Sequence, residues 1–209
     1  MRANQLPYSF FARRARVVAQ DLLGKQLLRQ VNGRCLSGIV VETEAYCDAA
    51  VPDLACHGDR ANKGKPTERT AVMFGAAAHA YVYFTYGIHW MFNVVTGQEG
   101  EANAVLIRAL EPVEGLEMMT LHRNGRSGSE LTNGPAKLTQ ALAIDKTLNG
   151  ANLCAADGVI WFAAAPADAP AISPSQIATG PRIGLGKTPE PWYSMPWRYW
   201  LKDNRYVSK

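Results

Sequence analysis

The chain has 209 residues, 47% of them hydrophobic and 19% charged, which is enough apolar material for one sizeable core and, by size, one domain over residues 1–209. Its 22 Lys and Arg against 18 Asp and Glu leave a formal net charge of +4, a balance that permits a polyanionic partner without arguing for one. No run approaches the ~18 apolar residues of a membrane span, MRANQLPYSFFARRARVV lacks a signal-peptide core, and Cys35, Cys47, Cys56 and Cys154 make neither a Cys-x-x-Cys pair nor a metal-finger spacing. The cysteines therefore read as free thiols of a cytoplasmic protein.

Residues 11–23 predict a helix with Val17, Val18, Leu22 and Leu23 on its buried stripe and Gly24 as a left-handed cap. KQLLRQV and RCLSGIVVETEAY read as strands joined at Asn32-Gly33, a strong hairpin signal. Residues 48–72 are polar and read as a long loop, a length that is often functional. AYVYFTYGIHWMFNVV predicts a second pair of strands and NAVLIRALE a third strand. Pro112 is placed to open a helix to about His122, and Pro135 another to about Ala143. GVIWFAA returns to strand, and WRYWL reads as a closing edge strand. The fold class expected is α+β: a curved, mainly antiparallel sheet with flanking helices.

The period of two in VVETEAY puts Glu42, Glu44 and Tyr46 on one strand face, with Val41, Thr43 and Ala45 on the other. Two carboxylates and a phenol in an apolar strand are costly unless paired or used; a solvated, salt-bridged face is the plain alternative. The aromatic strand that follows alternates in the same way, with Tyr81, Tyr83 and Thr85 on one face. Tyr86 precedes Gly87 at the turn, where it is either an ordinary exposed tyrosine or a wedge for a base stack.

Seven stretches in order carry a resemblance: VETEAY (41–46), ACH (55–57), TAVMFG (70–75), YVYFTYG with Asn93 (81–93), LIRALEP (106–112), NGPAKLTQALAI (133–144) and PRIGLG (181–186). Together they span most of the chain, and it resembles the alkyladenine (3-methyladenine) DNA glycosylase family. The resemblance implies a compact α+β fold with a protruding hairpin that intercalates into DNA. It implies Glu44 as general base for the attacking water and Arg108 as the residue that helps hold that water. It makes Tyr46, His57 and Tyr83 the enclosure of the flipped base, Asn93 the group that crowds the amino group of guanine, and Tyr86 the intercalating residue. Residues 58–72 and Ser127–Leu131 fit the family less tightly.

Such a constellation suits base excision. Cleaving an N-glycosidic bond builds positive charge on the sugar, which a nearby carboxylate stabilises while it takes a proton from water. An alkylated purine is already cationic and suits an electron-rich slot; hypoxanthine and ethenoadenine also need a proton, for which His57 is a candidate donor. The expected partner is double-stranded DNA containing alkylated purines. Arg60, Lys63, Lys65, Arg69, Arg123, Arg126 and Lys137 are candidate phosphate contacts, each equally readable as a solvated charge. No metal, nucleotide or redox cofactor is expected, nor a strand-cleaving amine, and the protein is read as a monomer, nucleoid-associated if bacterial. Two rivals remain: a non-catalytic nucleic-acid-binding module, and a sugar hydrolase using Glu42 with Glu44, whose ~6.6 Å side-by-side spacing suits a flanking acid/base pair poorly.

Overall fold

The computed structural model describes residues 2, 4–46, 52–60, 64–165 and 169–208, with backbone alone for 59 and 60. The hairpin at Asn32-Gly33 forms as the sequence predicts. Strands β1 (Gln26–Val31) and β2 (Arg34–Tyr46) pair antiparallel from Val31–Arg34 to Gln26–Ile39. Asn32 and Gly33 both take left-handed backbone, φ 49° and 77°, so a two-residue turn can follow the twist of its strands. The second hairpin is β3 (Ala80–Thr85) with β4 (His89–Val95), followed by β5 (Ala104–Glu114) and β6 (Ile160–Ala163). Two short strands, β7 (Ile177–Gly180) and β8 (Arg198–Leu201), complete a curled antiparallel sheet of order β3-β4-β5-β2-β1-β6, with β8 on β2 and β7 on β8. The first half of β2 carries β1 and its second half β8, while β5 runs along its other edge.

Helices α1 (Tyr8–Phe11), α2 (Ala15–Asp21), α3 (His57–Arg60), α4 (Leu116–His122) and α5 (Pro135–Ala141) flank the sheet. None is long and apolar enough to cross a membrane among the described residues. On α2, Ala15, Val18, Ala19 and Leu22 are all fully buried, an i, i+3, i+4, i+7 stripe. The alternation of β3, β4 and β5 sends Val82, Phe92, Val94 and Val105 into the main core. Tyr81, Val95 and Ala104 go to a smaller cluster on the opposite face, together with Cys56 and Met73.

Several sequence expectations need correction. The helix expected over 11–23 is two helices broken at 12–14, and Val17 is 42% exposed because it lies off the buried stripe. Gly24 does take the left-handed cap, φ 79°. Pro112 opens no helix: it stays in β5 opposite Gly38, at a break in register where a missing N–H is tolerated. The helix starts after Gly115, whose left-handed backbone (φ 79°) reverses the chain against Leu36. WRYWL is not an edge, since β8 lies between β2 and β7. The loop expected over 48–72 contains α3 and a 3₁₀ turn at Ala71–Phe74, with 47–51 and 61–63 outside the described residues. Cys47 is among those; Cys35, Cys56 and Cys154 are free thiols.

Candidate active site

One rung across five strands assembles the site. Tyr81 lies opposite Asn93, Asn93 opposite Leu106, Leu106 opposite Glu44, and Glu44 opposite Arg198. Strict alternation fails beside it. The ladder steps from Val40–Leu110 to Glu42–Ala109 and then to Thr43–Ile107, so Val41 is an extra residue on β2 and Arg108 one on β5. Bulges re-aim side chains at such places. Val41 joins a small cluster with Ala109 and Tyr206 and so leaves the face it was expected to share with Ala45, which lies in the main core. Arg108 reaches back across the rung to both carboxylates.

Its Nε donates to Glu42 Oε1 at 2.9 Å, and its Nη1 lies 3.0 Å from Glu44 Oε1. Both carboxylates are fully buried. Burial works against the Arg108 charge, yet Glu44 and Glu42 more than offset it and raise its pKa. Glu42 also receives Arg198 at 3.0 Å, the Ser208 N–H at 2.7 Å and the Ser208 hydroxyl at 2.9 Å. Glu44 Oε2 accepts from the Tyr46 hydroxyl at 2.7 Å, and Oε1 from the Ile183 N–H at 2.7 Å.

In front of Glu44 lies a cavity of about 370 Å³, within the range of small-molecule sites. Tyr46, His57, Tyr81, Tyr83, Asn93 and Arg108 line it, with Leu106, Met91 and the segment Ile183–Leu185. Glu44 itself stands one layer back: the three groups that hold its oxygens all line the cavity, and it does not. The aromatic wall is interlocked. The His57 ring meets Tyr83 edge-on at 4.6 Å, its Nδ1 is 3.2 Å from the Tyr81 hydroxyl, and Tyr81 and Tyr83 lie 5.3 Å apart. Asn93 donates to the Tyr81 carbonyl at 3.0 Å. Burial pushes all three phenols up, Tyr81 to about 12, with the Glu44 charge adding to the shift at Tyr46.

At the tip of the β3–β4 hairpin, Tyr86 is 81% exposed and holds left-handed backbone, φ 52°. A bulky residue rarely takes that conformation without a reason. Ile88, 69% exposed, closes the turn through its N–H on the Thr85 carbonyl.

The family model described as methylpurine-DNA glycosylase matches residues 9–205. A protein of Carboxydothermus hydrogenoformans is 48% identical over 204 residues, 98% of each chain, and one of Natranaerobius thermophilus 42% identical over 206, again 98% of each. A Methanoculleus marisnigri protein is 43% identical over 204 residues, 98% of each. All three carry the name "Putative 3-methyladenine DNA glycosylase". The chain belongs to the methylpurine-DNA glycosylase family. Membership makes it a DNA glycosylase of methylated purines, monofunctional and acting on DNA.

Within this glycosylase the structure brings Arg108, Tyr46, His57, Tyr83 and Asn93 around one cavity, with Glu44 directly behind Arg108 and Tyr46, and Tyr86 also lines it. The candidate phosphate contacts fare unevenly. Arg69 donates to the Phe84 carbonyl and lies over the Tyr83 ring, Lys137 pairs with Glu130 at 2.9 Å, and Arg123 bonds Gln140 and the Glu130 carbonyl. Lys65 and Arg126 are exposed, while Lys63 and the Arg60 side chain lie outside the described residues. Sequence reasoning gave no role to Ile183, Asp53, Arg182 or Ser208. PRIGLG was visible as a block, but nothing in it announced that the Ile183 backbone N–H would bond a carboxylate 139 residues away.

Proposed function

We propose that the protein draws an alkylated purine nucleotide out of duplex DNA into the aromatic cavity and hydrolyses its N-glycosidic bond with a water activated by Glu44, leaving an abasic site. One observation carries this reading. The Glu44 carboxylate is gripped by Arg108, Tyr46 and Ile183, and each of the three lines the cavity. A carboxylate oxygen can accept about two hydrogen bonds, and Oε2 accepts one, from Tyr46, among the described residues. A seated nucleoside that shifts the Tyr46 wall gives water access to the second. Arg108 fixes the direction of the carboxylate, whose charge stabilises the sugar cation as the base departs.

The cavity wall supplies the selection. Tyr46, Tyr83 and His57 present electron-rich rings that favour a cationic purine, about 0.5–2 kcal/mol per contact. Asn93, fixed through the Tyr81 carbonyl, stands where a guanine amino group would crowd it. Neutral lesions, hypoxanthine and ethenoadenine, need a proton on the base as well, and His57 is the donor we assign. Tyr86 fills the gap in the stack, and exposed Lys65 and Arg126 meet phosphates. The lining residues include no lysine among the described residues, consistent with excision without strand cleavage. A sugar-hydrolase pair is disfavoured because Glu42 already receives Arg108, Arg198 and Ser208.

The test is to incubate the protein with methylated and inosine-containing duplexes and assay free bases and abasic sites. Glu44→Gln is expected to bind lesion DNA yet release almost no base; wild-type rates from that variant overturn the assignment.

A further inference from the structure

Behind the cavity sits a second buried ion pair that the reaction does not itself use. Arg182 and Asp53 both have fully buried side chains and meet in a fork, Nη1 to Oδ2 at 2.5 Å and Nη2 to Oδ1 at 3.0 Å. Burial works against the Arg182 charge, and the bond to Asp53 more than offsets it. A structural pair would need no more than this. Arg182 does more: Nη1 also donates to the Ala45 carbonyl at 3.0 Å, between Glu44 and Tyr46, and Nη2 to the Trp192 carbonyl at 3.2 Å. Its guanidinium carbon lies over the Tyr46 ring, 4.8 Å from the centroid, and over the Trp197 ring at 4.9 Å. Asp53 in turn closes the turn that leads to His57, its carboxylate accepting from the Ala55 N–H at 3.0 Å and its carbonyl from the Cys56 N–H at 2.7 Å.

We propose that Arg182, seated by Asp53, is a positioning residue that sets the Tyr46 ring in the cavity wall and presents the Ile183 N–H to Glu44. One planar group thereby ties three separate stretches of chain: the end of β2, the turn before His57 and the segment 181–197. The planar fork suits this work, since a guanidinium can stack on a ring and donate in its own plane at once. The inference rests on the Glu44 reading for its catalytic consequence, but the Arg182–Tyr46 link stands on geometry alone.

Arg182→Ala would take the guanidinium away from the buried Asp53 carboxylate and would test folding more than catalysis. The informative variant is Arg182→Lys, which keeps the charge on Asp53 and loses the fork and the stack; Asp53→Asn, which keeps the shape and removes the seat, is the second. Each is checked by thermal melting, then measured for single-turnover base release and for affinity to lesion-free DNA, alone and combined with Tyr46→Phe. We expect release to slow about ten- to a hundred-fold, the reach of a misplaced wall at a reacting centre, with DNA affinity unchanged within about threefold. Combination with Tyr46→Phe should cost less than the product of the separate effects, as expected of groups acting through one contact. Folded Arg182→Lys and Asp53→Asn proteins at wild-type rate, or effects that multiply with Tyr46→Phe, overturn the proposal. Glu44→Gln runs beside them. Full activity there removes the catalytic role of Glu44, while the cycle with Tyr46 still decides whether Arg182 positions that ring.

Discussion

Glu42 and Glu44 are two residues apart on one strand, equally buried, and both touch Arg108, yet their surroundings differ. Glu42 faces the back of the site. Arg108, Arg198 and the Ser208 hydroxyl converge on its Oε1, and the Ser208 N–H takes its Oε2. Glu44 faces the front, where each of its donors also forms cavity wall. The back carboxylate holds the arginine, and the front one is held by groups that line the cavity. Buried charges are tolerated when paired and hydrogen-bonded; what differs is whether the pairing can be undone from solvent.

The sharpest way to break this contrast is to neutralise each carboxylate in turn. Glu44→Gln should slow base release by about 10²–10⁴-fold, the usual share of a general base, with DNA affinity little changed and a smaller fall in melting temperature than at Glu42, because Arg108 keeps its bond to Glu42. Glu42→Gln should do the reverse. It leaves Arg108 and Arg198 partly uncompensated, at about 3–5 kcal/mol for a broken buried pair, read as a lower melting temperature, while the folded fraction keeps a rate within about tenfold of wild type. If both variants lost rate alike at unchanged stability, front and back would have no separate meaning.

How much of this was legible in the chain depends on distance along it. The Asn32-Gly33 hairpin, the β3–β4 hairpin and the shared face of Tyr81 and Tyr83 follow from local pattern, which backbone chemistry enforces directly. The face shared by Glu42 and Glu44 was legible too, but the bulge at Val41 was not, because alternation carries no mark of an extra residue. Nor did Pro112 reveal that it would stay in a strand: its helix-opening preference was local, and the pairing with Gly38 that overrode it was not. The catalytic candidates came from the resemblance, and the structure supplied what surrounds them. The Arg182–Asp53 pair spans 129 residues and Ser208–Glu42 spans 166, and no periodicity reaches that far.

A smaller effect extends the contrast to the hairpin tip. Tyr86 makes its expected contribution outside the protein, against DNA, so Tyr86→Ala should leave the melting temperature unchanged. Loss of one stacking platform is worth about 1–3 kcal/mol, seen as weaker binding to lesion duplex with the chemical step on an unpaired substrate preserved. Equal losses on paired and unpaired substrates would argue that the tip shapes the cavity and does not wedge the stack.

The mildest test uses pH, because the front is rich in phenols. Burial raises Tyr81 to about 12 and lifts Tyr46 and Tyr83 above their ordinary range as well. An unfolded tyrosine titrates near 10, so above that pH the unfolded chain gives up protons that the folded chain keeps. Stability is therefore whole below pH 10 and falls as pH rises, by up to about 1.4 kcal/mol per pH unit for each such phenol; for Tyr81 the decline ends near pH 12. Denaturant unfolding between pH 9 and 12 should show this loss, and Tyr81→Phe should make it shallower by one phenol's worth. The variant also removes the hydroxyl beside His57, which lowers stability by the same amount at every pH and so adds a constant offset to the change in slope. A slope identical to wild type would mean that the Tyr81 hydroxyl keeps its water in the folded protein, and that the front wall is wetter than its packing indicates.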